Sequence, residues 1–196
     1  MVKLVVVTSV VSSVAGEFRR YKALGDAALA QIKDEELALG DPRAGSNSAA
    51  ILVWHVGGNL RSRFTDFLTS DGEKPWRHRD EEFTARTVTR EDLLAKWNGG
   101  WEALFGALGE LTDAHLQQTV TIRGQSFAVH DALHRALAHI CYHVGQLVFL
   151  AKSYRGEEWK NLSIPLGKSE EANRNAIHQD PASHAALIAS ALAKKN

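Results

Sequence analysis

Four stretches of this chain place apolar residues at alternating steps of three and four, and that rhythm commits it to helices. Leu4, Val7, Val11, Val14, Phe18 and Tyr21 form the first stripe, and Ala28 and Ile32 extend it. Ala49, Leu52, Val56, Leu60, Phe64 and Phe67 form the second, a helix of about 20 residues. Leu93, Leu94, Trp97, Trp101, Leu104, Leu108 and Leu111 form the third. The fourth, with Leu133, Leu137, Ile140, Val144 and Val148 inward, runs from about Asp131 to Ser153. Residues at this spacing line one helix face, and four such faces bury one another by packing side by side. The spacing predicts an all-α fold, a four-helix bundle, whose facing side chains can build a site within the core.

The breaks between stripes are equally readable. Gly40-Asp41-Pro42-Arg43-Ala44-Gly45-Ser46-Asn47-Ser48 is a loop, and Ser46, Asn47 or Ser48 can cap the next helix. Gly16 and Gly25 each weaken the first helix by about 1 kcal/mol relative to Ala, so a kink near Gly25 is allowed. Thr69 to Arg90 is polar and long for a loop in a compact domain. It spends Trp76 and Phe83, which marks it as an ordered cover between helices 2 and 3. Thr89 with Asp92 resembles a capping box with Asp in place of Glu or Gln. Thr119–Ile122 and Ser126–Val129, around Arg123-Gly124-Gln125, predict a small β-hairpin before helix 4. Residues 1–175 are expected to form the bundle domain. Residues 176–196, alanine-rich over Ala182–Lys195, are expected to form a C-terminal tail or short helix.

Lys3, the apolar run Leu4–Val14 and Ser13-Val14-Ala15 imitate a short secretory signal. The helical stripe continues past the supposed cleavage point, so a helix of a mature cytoplasmic protein is expected. No stretch reaches the roughly 18–20 apolar residues of a membrane span. Lys plus Arg and Asp plus Glu are both 23. That balance argues against a protein whose work is gripping nucleic acid, which needs a basic excess or stripe. The lone cysteine, Cys141, excludes an intramolecular disulfide and a cysteine-only metal cage. Nine histidines are the unusual feature.

His139 and His143 stand four apart, on one helix face, at a separation that lets two imidazoles share a cation. They lie at the margin of the apolar stripe beside Ala132, Gln146 and Leu150. The rival reading is a pair of surface or hydrogen-bonded core histidines. His55 sits in the nearly apolar run Ile51–Asn59 and must be bonded, neutral or ligated, since unpaired burial costs about 1–3 kcal/mol. Gly57-Gly58 beside it sacrifices helix stability unless something must come close. Three neutral imidazoles on two helices would hold Zn²⁺, Ni²⁺ or Fe²⁺ and leave coordination positions open. Of the rest, His134 points away from the pair and His130 can cap its helix. His78 is a loop histidine, solvated or reaching the site as a base. His115, His178 and His184 read as surface residues, and Cys141 as a small core residue on the opposite face.

One histidine on the second helix and H-x-x-x-H on the fourth resembles the DinB/YfiT-like superfamily of metal-binding four-helix proteins. Further strings resemble one largely uncharacterised bacterial branch of it: Phe18-Arg19-Arg20-Tyr21-Lys22, His55-Val56-Gly57-Gly58-Asn59-Leu60, Ser62–Leu68, Asp71-Gly72-Glu73-Lys74-Pro75-Trp76, His139 to Lys152, and Leu162-Ser163-Ile164-Pro165. The resemblance spans about Phe18 to Asn173; the valine-rich start and the tail after Asn175 fit no motif of it. It implies a metal triad of His55, His139 and His143, and frequent homodimers. It also implies disparate activities: thiol-dependent S-transferases, a maleylpyruvate isomerase, and many members without an assigned reaction.

The expected function is a metal-dependent enzyme, a thiol S-transferase or a hydrolase, whose ion activates a thiol or water. The ion would be Ni²⁺ or Zn²⁺, with Fe²⁺ also suited, and a low-molecular-weight thiol would be a cosubstrate. A coordinated thiol loses its proton far below its free pKa of about 8.5. A small-molecule substrate would enter under the Thr69–Arg90 loop, past Asn59, Arg63, Trp76, Arg79 and Gln146. Arg61, Arg63, Arg77 and Arg79 suit an anionic substrate, although each can equally be a surface charge. Asp66 and Asp80 can orient a ligand histidine or pair with these arginines. The rival functions are a non-catalytic metal-binding or sensing bundle and a metal-free bundle.

Overall fold

Each long helix starts where a short polar side chain supplies what the first turn lacks. In the computed structural model, which describes residues 9–40, 45–175 and 180–193, α1 spans Val10–Leu29 and is capped by Ser9, whose hydroxyl accepts from Ser12 N. The Asp113 carboxylate adds two bonds, accepting from Val10 N and Val11 N at 3.0 Å each. Helix α2, Ala49–Phe64, is capped by Ser48 and α3, Arg90–Glu110, by Thr89. Asp92 contacts the Thr89 hydroxyl at 2.7 Å rather than closing the reciprocal backbone bond of a full capping box. Helix α4, Val129–Arg155, runs two residues further at each end than its stripe suggests.

The first helix is shorter than its periodicity. It passes through Gly16 and Gly25 without a break and stops at Leu29, while Ile32 stays buried beyond its end. Leu4, Val7, residues 41–44 and His178 lie outside the described residues. Helix α2 ends at Phe64, because Thr65 is extended and Asp66 adopts φ 49°; Phe67 is buried by the turn instead. Strands β1, Thr119–Ile122, and β2, Gln125–Ala128, pair antiparallel with Ile122 opposite Gln125. Arg123 and Gly124 therefore form a two-residue turn, and both have positive φ, as the twist of such a hairpin demands.

The molecule is mostly helical, with this one two-stranded sheet among the described residues. Helix α2 packs on α3, α1 on α4, and α2 also meets α4. Their shared core includes Phe18, Leu52, Leu60, Leu104, Leu133 and Ile140, with Trp97 and Trp101 wholly inside it. Trp159 is half-buried against this core. The short α5 is Ser169–Asn175, and α6, Pro181–Ala193, packs on α1 and buries Ile188. His184, expected at the surface, is buried on α6, its Nε2 bonding Leu162 O at 3.1 Å. No helix among the described residues is long and apolar enough to cross a membrane.

Two features of the packing set the site. A Cβ on Gly57 would lie 2.5 Å from Lys96 O, and one on Gly100 would lie 2.7 Å from Gly57 Cα. Helices α2 and α3 therefore cross backbone against backbone at that point. The Thr69–Arg90 segment is tied to its surroundings along its length. Its first half is tied to α2 and the hairpin: Ser62 Oγ donates to Gly72 O, and Gly72 N donates to Thr121 O. Its second half forms a 3₁₀ turn, Asp80–Phe83, laid on α2.

Candidate metal centre

His55 projects from the buried face of α2, and His139 and His143 from successive turns of α4. The three imidazoles meet where α2 and α4 touch. His55 Nε2 is 3.0 Å and His143 Nε2 3.1 Å from His139 Nε2. One ligand atom from each ring lies within 4.8 Å of the other two, so the cluster could hold a metal ion.

Two of the three outer nitrogens are held by other side chains. Glu82 Oε2 accepts from His55 Nδ1 at 2.9 Å, and Gln146 Oε1 accepts from His143 Nδ1 at 2.8 Å. Both bonds fix the tautomer: the proton is on Nδ1, and Nε2 presents a bare lone pair to the centre. His139 lies between two such lone pairs, and its own Nδ1, though buried, has no hydrogen-bond partner. A neutral imidazole has one N–H, so His139 can serve both neighbours only by splitting that proton in a weaker three-centre bond. One cation, by contrast, can accept all three lone pairs at full strength. Metal–nitrogen bonds of about 2.0–2.1 Å, at about 90–109° to one another, put nitrogens roughly 2.8–3.4 Å apart. The two short separations fall in that range.

The electrostatics keep the two rings of α4 neutral and ready to bind. Burial, reinforced by His143, His55, Arg77 and Arg63, drives the His139 pKa down to about 3. Burial also lowers His143, against the opposing hydrogen bond of Gln146. Burial pushes the Glu82 carboxyl up, but hydrogen bonds from His55 and Arg77 outweigh it and hold it below the usual range.

Glu82 is the residue of this candidate site that the sequence did not point to. Arg77, also buried, grips it with a fork: Nε donates to Oε1 at 2.8 Å and Nη2 to Oε2 at 2.9 Å. Phe83 packs on the His55 ring at 4.7 Å between centroids. The adjacent glycine explains itself here, because a Cβ on Gly58 would come within 2.1 Å of Glu82 Oε1. The signal available was a buried histidine that needed a partner, but Asp80, Glu81 and Glu82 are equivalent in sequence. Asp80 instead lies exposed beside Arg79, at 3.5 Å, and Asp66 forms the turn after α2.

The other candidate residues fall in three places. Asn59, Arg63 and Arg79 line a cavity of about 200 Å³ that also reaches His55 and His139. Trp76 is exposed on the far side of the loop, beneath the Arg61 guanidinium at 5.2 Å. Gln146 touches His143 and borders a separate hollow with Tyr142 and Phe149. His130 Nδ1 bonds Leu116 O, which ties α4 to the preceding turn rather than capping its own helix. Cys141 is half-buried and contacts Tyr21, away from the triad.

Neither the curated proteins nor the solved structures yield a match to this chain. One family does match, over residues 6–168, which take in α1 to α4 and all three histidines. On that extent the chain belongs to the family described as "Protein of unknown function (DUF1572)".

Proposed function

We propose that this chain is a DinB-like four-helix-bundle protein that binds one divalent transition metal ion through His55, His139 and His143, and that it uses the ion as a metal-dependent enzyme. Ni²⁺ and Zn²⁺ suit three imidazoles best, and Fe²⁺ is also suited. The observation that carries the reading is the convergence of three Nε2 atoms, two of them aimed at His139, whose buried Nδ1 has no hydrogen-bond partner among the described residues. Such an ion supplies Lewis acidity, lowering the pKa of a water or thiol so that a nucleophile is available near neutral pH. The chain's own residues do the positioning. Glu82 and Gln146 fix two rings by their Nδ1–H groups, Arg77 fixes Glu82, and Phe83 shields His55. The adjoining cavity leaves space for a small substrate at the His139 side. The reaction class proposed is thiol S-transfer or hydrolysis.

The test has two stages. Protein purified without a histidine tag should contain close to one equivalent of transition metal by elemental analysis. His139→Ala should lower that content to near zero with the helical circular dichroism signal retained; undiminished metal would overturn the ligand assignment. The metal-loaded protein should then conjugate a small thiol to a model electrophile, or hydrolyse a model ester, above the chelated control. Metal binding without either activity across a broad panel would leave a sensing or storage role.

A further inference from the structure

The cavity beside the triad has a composition that the metal reading does not require. Arg63, Arg77, Arg79, Arg123 and Arg135 all line it, and no Asp or Glu does. These arginines come from α2, the covering loop, the hairpin turn and α4, so the charge is assembled from four separate elements. The carboxylates that neutralise them are fewer and lie outside the cavity lining. Glu73 Oε2 serves both Arg63 Nη1, at 3.1 Å, and Arg123 Nε, at 2.9 Å. Glu82 is committed to Arg77 and His55, the exposed Asp80 pairs with Arg79 at 3.5 Å, and Arg77 Nη1 has no hydrogen bond, only Glu73 at 3.9 Å. Arg135 has no carboxylate partner among the described residues; its guanidinium lies over the Phe127 ring at 5.4 Å. The wall thus keeps positive charge that the chain leaves uncompensated.

Such a surplus in a concave site raises the local potential for an anion, and guanidinium forks match oxyanions in shape as well as charge. Asn59, one turn beyond His55 on the same wall, is half-buried and adds a neutral donor. The cavity is smaller than the roughly 300–1,000 Å³ of drug-sized sites, which limits the ligand to a small molecule. We infer that this cavity binds a small ligand through an oxyanion group, a carboxylate or a phosphate, held by the arginine wall with its other end toward His139. The placement of that other end rests on the proposed metal-dependent function; the anion's grip does not.

Calorimetric titration of the full chain, metal-loaded and after chelation, tests this with succinate, inorganic phosphate and neutral succinamide. Succinate or phosphate should bind both forms, and succinamide neither; the tighter anion tells which oxyanion is preferred. Arg135→Gln, an exposed change that leaves the Glu73 and Glu82 pairs intact, should weaken the anion about tenfold, the size of one charge-assisted hydrogen bond. Arg79→Gln should act in the same direction. Binding that survives both substitutions unchanged, binding that disappears on chelation, or no anion binding at all would overturn the inference. Metal content is measured separately on the same samples, so a failed arginine wall and a failed metal site give different results.

Discussion

The segment joining α2 to α3 is held down by two carboxylates that work in opposite surroundings. Asp71 is near the surface and accepts three backbone N–H bonds, from Glu73 at 2.7 Å and from Arg123 and Gly124 at 2.8 Å each. It fastens the loop to the hairpin turn with local, water-accessible contacts. Glu82 is buried and accepts from one guanidinium and one imidazole, reaching 27 residues back to His55. The first clamp orders a loop; the second aligns a candidate ligand. Losing a solvated acceptor leaves backbone groups that water can satisfy, while losing a buried one strands a positive charge.

The largest effect should follow Glu82→Leu, which leaves Arg77 buried without its counter-charge. Unfolding free energy should fall by about 3–5 kcal/mol in chemical denaturation. Adding Arg77→Met should recover much of that loss while leaving metal affinity impaired, because His55 Nδ1 still lacks its acceptor. If the double variant also regains full metal affinity, Glu82 has only a structural role. Gly58→Ala comes next. Its methyl would displace the Glu82 carboxylate, costing about 1–3 kcal/mol as overpacking and weakening metal binding by about 10–100-fold. Competition with a chromogenic chelator measures the second effect.

Smaller still is Asp71→Ala. Thermal unfolding should barely move, yet hydrogen exchange at the Arg123 and Gly124 amides should accelerate. A collapse of the midpoint instead would show the two clamps to be equivalent. The finest comparison is acid titration. Three backbone hydrogen bonds hold the Asp71 carboxyl below the usual range, and Glu82 is held low as described. A carboxyl lowered in the folded state contributes stability that is present above its unfolded pKa, about 4, and is lost as pH falls through its folded value. Neither clamp should weaken between pH 7 and 5. Below about pH 4, amide exchange in the hairpin turn should report the loss of Asp71, and the midpoint of unfolding the loss of Glu82.

Periodicity made the helices legible because a buried stripe leaves a local trace every three or four residues. Capping made their starts legible for the same reason, since Ser48 and Thr89 act on amides a few positions away. The turn at Arg123-Gly124 was readable from one glycine between β-prone runs. His55, His139 and His143 could be named together because two share a helix face and the third interrupts an apolar run. What escaped was pairing across distance. Nothing around residue 82 distinguishes it from its acidic neighbours, and only the folded loop brings it to His55. Arg77 read equally well as a surface charge, and His184 as a surface residue, because the elements that bury them are remote in sequence. Trp97 and Trp101 could be placed on the apolar stripe of α3, but not paired with Asp26 and Phe18 of α1, which the fold brings against them.

The bare crossing of Gly57 against Gly100 has a consequence for how the centre behaves when empty. His55 stands two residues from the place where α2 and α3 touch with no side chain between them. Its Cα is therefore registered by main-chain contact, the least compliant spacer a protein has, rather than by side chains that can change rotamer. An ion taken up by the proposed triad would meet a His55 backbone already fixed in place, with adjustment left to side-chain torsions and not to the scaffold.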